Sequence, residues 1–82
     1  MPENCSLLLG EIRRLRNLRY ELKTMLESLK RLYRHHRELQ DRVFEEAIEK
    51  IEMSIPPIEV RLADVLLKAW DSGCLEWREV EA

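Results

Sequence analysis

The chain has 82 residues, of which 45% are hydrophobic and 37% charged, with only two glycines and three prolines. That length makes one domain, and a domain so small buries only about 60% of the surface its unfolded form exposes. No apolar run exceeds three residues, which excludes a membrane span. The opening MPENCSLLLG lacks the basic lead and the apolar length of a secretory signal. With no signal or span, the expected compartment is the cytoplasm, with Cys5 and Cys74 reduced. Whether these two cysteines pair is left open by their positions near opposite ends. Few amides (Asn4, Asn17, Gln40) beside many Arg and Glu give the composition a thermophile cast.

Net charge is −2, but the signs are segregated. From Glu11 to Arg42 there are ten Arg/Lys against five Asp/Glu, and from Val43 to Ala82 four against ten. Two readings follow. The basic segment folds back beside the acidic one, or its basic face meets a polyanion.

In chain order, the first and strongest signal is an alternation of three- and four-residue steps. It runs through Leu15, Leu18, Leu22, Met25, Leu29, Leu32, His36, Leu39 and Val43. This is a heptad seam, with Leu15 at a and Leu18 at d. Ile12, Leu26 and Tyr33 fall at e and widen the stripe, as suits a bundle more than a two-stranded zipper. His36 at a core a position reads as a register-setting polar residue. After Val43 the apolar line changes phase to Phe44, Ile48, Ile51 and Ile55, with Ala47 alongside. Either the helix stutters and continues, or a turn near 35–41 separates two helices. Asp41 as N-cap, with Glu45 and Glu46 in the following turn, supports the turn. The lack of any Gly or Pro between Glu11 and Ile55 supports one long helix over about 6–54, bent or broken near 35–44.

Ser54-Ile55-Pro56-Pro57 then predicts a corner at 55–57, because two consecutive prolines remove two amide donors. A further helix over about 58–72 follows. Its apolar face is Ile58, Leu62, Val65, Leu66, Ala69 and Trp70, and Gly73 is its C-cap. Residues 73–82 form a tail. The expected fold is therefore all-α: one helical domain over 1–82, a long amphipathic helix and a short one packed back as a hairpin or bundle, self-associating into a homo-oligomer.

Candidate chemistry is sparse. There is no CxxC, no Cys/His cluster and no Gly-rich phosphate loop, so no metal or cofactor site is expected. Glu45, Glu46, Glu49 and Glu52 read as solvated helix surface rather than paired acid–base groups. His35 and His36 point about 100° apart on a helix and cannot chelate one ion together. Arg31 and His36 have the Arg-x4-His spacing that resembles the motif of the HEPN ribonucleases. That resemblance covers six residues and implies a minimal dimeric ribonuclease acting through Arg31 and His36. Leu32 departs from the polar residue often found after that arginine.

A basic line recurs every seven residues at Arg16, Lys23, Lys30 and Arg37, thickened by Arg13, Arg14, Arg19, Arg31 and Arg34. Such a band can follow backbone phosphates by charge alone. With few interleaved aromatics beyond Tyr20 and Tyr33, any nucleic-acid binding would be weakly sequence-specific. Trp70 and Trp77 are candidate docking residues for a protein partner. The expected function is that of a non-catalytic accessory or adaptor subunit. Non-specific DNA or RNA binding is the second reading, and the ribonuclease a distant third.

Overall fold

The computed structural model describes residues 3–75. Two long helices, α1 (Glu3–His35) and α2 (Arg42–Asp71), are joined by a 3-10 turn at Arg37–Leu39. They pack along their length as a hairpin 54 Å long and 15–19 Å across. The contacts that tie them run in opposite directions along the chain. Cys5 meets Cys74, Arg19 meets Glu59, Lys30 meets Glu52 and Tyr33 meets Glu45, so the helices are antiparallel.

The turn forms without glycine or proline. His36 leaves the helix with an extended backbone (φ −129°, ψ 103°). Asp41 caps α2, its carboxylate accepting from the Phe44 amide at 2.8 Å. An N-cap of this kind satisfies one of the four amides that a helix start leaves unpaired, and contributes about 1 kcal/mol. Gln40 Nε2 donates to the Tyr33 carbonyl at 2.8 Å, covering an orphan acceptor at the end of α1. Tyr33 stacks on Phe44 with ring centroids 6.0 Å apart, and its hydroxyl donates to Glu45. The phase change of the apolar line is thus a chain reversal, and the single long helix over 6–54 is corrected to two.

The corner expected at 55–57 is corrected as well: α2 runs through Pro56 and Pro57. Each proline costs a helix interior about 3 kcal/mol in isolation. Both rings are exposed, so the carbonyls they deprive of a donor can turn to water. The flanking Ile55 is buried and Ile58 half-buried, which holds this stretch in register by packing. Tertiary contact outweighs local propensity here. The helix instead ends where Gly73 (φ 72°) takes the left-handed conformation. There the Cys74 amide donates to the Ala69 carbonyl at 2.8 Å and the Gly73 amide to Trp70. This is the Schellman pattern.

The core is concentrated at the open end of the hairpin. Cys5, Ile12, Leu15, Val65, Ala69 and Cys74 are buried, with Leu8, Leu9, Ile58, Leu62, Leu66 and Leu75 packed around them. Toward the turn the facing residues Leu22, Leu26, Leu29, Ile48 and Ile51 are only half-buried. One helix layer on another closes a single face of each and leaves the flanks open.

Candidate interaction surfaces

The disulfide Cys5–Cys74 fixes the two ends at a Cα separation of 5.3 Å. The expectation of two reduced thiols is corrected by the hairpin itself: the turn brings residue 5 beside residue 74, within bridging range. Both sulfurs lie inside the core cluster.

The heptad seam divides. Leu15 is buried, and Leu18, Leu22, Leu29 and Leu39 are half-buried. Met25, Leu32, His36 and Val43 are exposed. The face of α1 turned to α2 is the a and e line, through Leu8, Ile12, Leu15, Leu22, Leu26, Leu29 and Tyr33. The seam is therefore rotated by part of a turn, and the d column Leu18, Met25 and Leu32 forms its open shoulder. His36 does not sit in a helix interface. It is outside α1, and its Nδ1 lies 3.3 Å from Glu38 Oε1.

The basic band of α1 faces the acidic residues of α2 along one flank. Arg19 Nε is 3.0 Å from Glu59, Lys23 Nζ is 3.9 Å from the same carboxylate, and Lys30 Nζ is 3.0 Å from Glu52. On the other flank Arg61 reaches Glu11 at 3.9 Å, and Glu11 also holds Arg14 at 2.8 Å. These pairs are exposed or half-buried at the surface, so each contributes between zero and about 1 kcal/mol. Their effect is to set register and to draw part of the band into the hairpin. Of the candidate nucleic-acid contacts, Arg14, Lys23 and Lys30 already have carboxylate partners. All eight candidates, Arg13, Arg16, Arg31, Arg34 and Arg37 among them, lie at exposed positions.

Ionisation follows these contacts. The Arg14 hydrogen bond holds the Glu11 carboxyl below its ordinary value and raises the Arg14 guanidinium in return. Glu38 is lowered chiefly by a hydrogen bond to its own backbone, then by His36. The Tyr33 phenol is raised, first by donating to Glu45, because ionisation would destroy that bond and set two negative groups together.

Two shallow grooves open between the helices. One of about 610 Å³ near the disulfide end is lined by Leu9, Arg13, Arg16, Tyr20, Leu66 and Leu75, among others. The other, about 350 Å³ near the turn, lies between Lys30, Tyr33, Ile48 and Glu52. Among the described residues no group of three His, Cys, Asp or Glu side chains could hold a metal ion. Among the same residues no helix is long and apolar enough to cross a membrane.

A surface not singled out in the sequence reading lies on the back of α2. Met53, Val60 and Leu67 are 68%, 70% and 64% exposed. Pro56, Ala63 and the partly exposed Trp70 lie between them and beyond. The signal was present as a second three–four alternation, hidden because the expected corner cut it at Pro56-Pro57. Trp77, the other docking candidate, lies outside the described residues. Compared with protein-family models, curated proteins and solved structures, the chain finds no match in any of the three.

Proposed function

We propose that the chain is a non-catalytic helical adaptor, a disulfide-closed hairpin that presents apolar helix faces to another macromolecule. The observation that carries this reading is the amount of large apolar surface left open. Tyr20, Met25 and Leu32 on α1, and Val43, Met53, Val60 and Leu67 on α2, are all exposed. A compact chain of 9.9 kDa would expose about 5,200 Å² by the usual scaling with mass. This one exposes 6597 Å². The excess goes with the elongated shape of a two-helix layer, and large apolar side chains clustered on its open faces, such as Met53, Val60 and Leu67, mark contact sites.

The protein partner reading is tested on the α1 shoulder. A complex assembled in the native host should bring down one partner in fixed stoichiometry, and Met25→Glu with Leu32→Glu should abolish its retention. Retention unchanged in that variant would defeat the reading. Non-specific nucleic-acid binding is the second reading, favoured by the exposed Arg13, Arg16, Arg31, Arg34 and Arg37. It requires binding to a duplex at low salt that weakens steeply as salt rises. The minimal ribonuclease, with Arg31 and His36 in catalytic roles, requires RNA cleavage lost in His36→Ala. For location, the reading remains cytoplasmic. A disulfide there fits the hyperthermophile exception, in keeping with the Arg/Glu-rich, amide-poor composition.

A further inference from the structure

The back of α2 carries a second heptad line. Met53, Pro56, Val60, Ala63, Leu67 and Trp70 step by three, four, three, four and three residues. At about 100° per residue this line lies roughly 145° round the helix from the buried one through Ile51, Ile55, Ile58, Leu62, Val65 and Ala69. No charged residue interrupts it, and the line stops at both ends: Glu46 and Glu49 hold the preceding positions, and the helix finishes at Asp71. It spans eighteen residues, or about 27 Å of helix.

We propose that this stripe is the dimer interface of the protein, its occupant a second copy of the same chain packed α2 against α2 about a two-fold axis. The proposal rests on the reading of the chain as a helical interaction module and names the face and the partner. What selects a second copy is the symmetry of the stripe. Its step pattern reads the same in both directions, so an antiparallel two-fold lays every member on another. Met53 falls against Trp70 of the partner subunit, Pro56 against Leu67 of the partner subunit, and Val60 against Ala63 of the partner subunit. Large residues meet at the ends, and the small Ala63 allows close approach at the axis. Such an interface is isologous, as closed two-fold dimers require.

Charge agrees with this register. In antiparallel helix pairs the residues one step outside the seam face their own kind on the partner. Here that sets Asp71 beside Lys50 of the partner subunit at each end, an opposite-charge pair, and Asp64 beside Pro57 of the partner subunit. Glu59 falls near Leu66 of the partner subunit. No like charges are opposed. The dimer would be a row of four helices, with the α1 helices outermost and their shoulders still open, so adaptor binding and dimerisation use different surfaces.

The test uses the purified chain with its disulfide intact. Molar mass by light scattering should be twice 9.9 kDa at micromolar concentration and above. Val60→Glu with Leu67→Glu should halve it, with helicity by circular dichroism unchanged because both positions face out. Val43→Glu, on another face, should leave the dimer intact. Register is read by cross-linking. Pro56→Cys and Leu67→Cys chains should form an inter-chain disulfide when mixed, and neither should do so alone, since like positions are about 16 Å apart along the axis. A monomeric wild-type chain, a dimer that survives Val60→Glu/Leu67→Glu, or equal cross-linking of the single variants would overturn the proposal. Because no other protein is present, these results are independent of whether the α1 shoulder binds a partner.

Discussion

Reducing the Cys5–Cys74 bond should be the most damaging small change to this fold. The bond closes a loop of 69 residues' separation. In the chain-entropy account, opening a loop of that size returns about 4 kcal/mol of freedom to the unfolded state. A domain this small has a total stability of about 5–15 kcal/mol at most, so the loss is a large fraction. With about 4–8 °C of Tm per kcal/mol at this chain length, the midpoint should fall by roughly 15–30 °C. The loss has a place as well as a size. The bond sits at the open end, inside the buried cluster of Ile12, Leu15, Val65 and Ala69, where two helix termini would otherwise fray. Thermal melts followed at 222 nm, with and without a reductant, measure the first effect. The double variant Cys5→Ala/Cys74→Ala should reproduce it without reductant. Hydrogen exchange on the reduced chain should show amides near residues 8–15 and 62–72 losing protection first. A midpoint lowered by less than about 5 °C would refute the reasoning, as would a sulfur pairing found between chains rather than within one.

Four further outcomes follow from the same contacts. Asp41→Ala should cost about 1 kcal/mol by uncovering the Phe44 amide, whereas Asp41→Asn should cost much less, both read from denaturant midpoints. The Tyr33 phenol should titrate above its ordinary value, followed by ultraviolet difference absorbance, and the upward shift should shrink in Glu45→Gln while the smaller contributions of desolvation and Asp41 remain. Since folding raises this pKa, the Tyr33 contribution is complete below the unfolded value near 10 and is lost as pH climbs through the folded one. Glu11 has the opposite sign: its lowered pKa gives a contribution present at neutral pH and lost as the medium becomes acid enough to protonate it, and Glu11→Gln should flatten that part of the acid profile. Lys23→Gln with Lys30→Gln should change stability by no more than about 2 kcal/mol, with less effect in high salt, because each removes only an exposed ion pair.

Much of the fold could be read from the chain because helical periodicity is a strong local signal. The leucine line, the Asp41 cap and the Gly73 terminus all reflect interactions within a turn or two of sequence. Two features could not be read in this way. The prolines at 56 and 57 argue locally for a break, yet the burial of Ile55 and the contact of Ile58 and Leu62 with the core are long-range terms that sequence spacing does not expose. The Cys5–Cys74 pairing depends entirely on where the chain reverses, and a turn without glycine or proline left that position uncertain by an entire helix. Once the reversal is placed at 36–41, the charge segregation acquires a meaning in Arg19–Glu59, Lys23–Glu59 and Lys30–Glu52. The seam was legible in period but not in phase. A wide stripe over a, d and e does not say which two columns face inward, and the partner helix selects a and e.

Both the buried line and the open stripe of α2 depend on the chain reversing at residues 36–41, and small-angle X-ray scattering measures that directly. A hairpin has a longest dimension of 54 Å, and a dimer of two such hairpins side by side stays below about 75 Å. An unbroken helix over the same residues would extend to about 100 Å at 1.5 Å per residue. A maximum dimension of 55–75 Å (approximately) is the result this structure requires. One near 100 Å would contradict it.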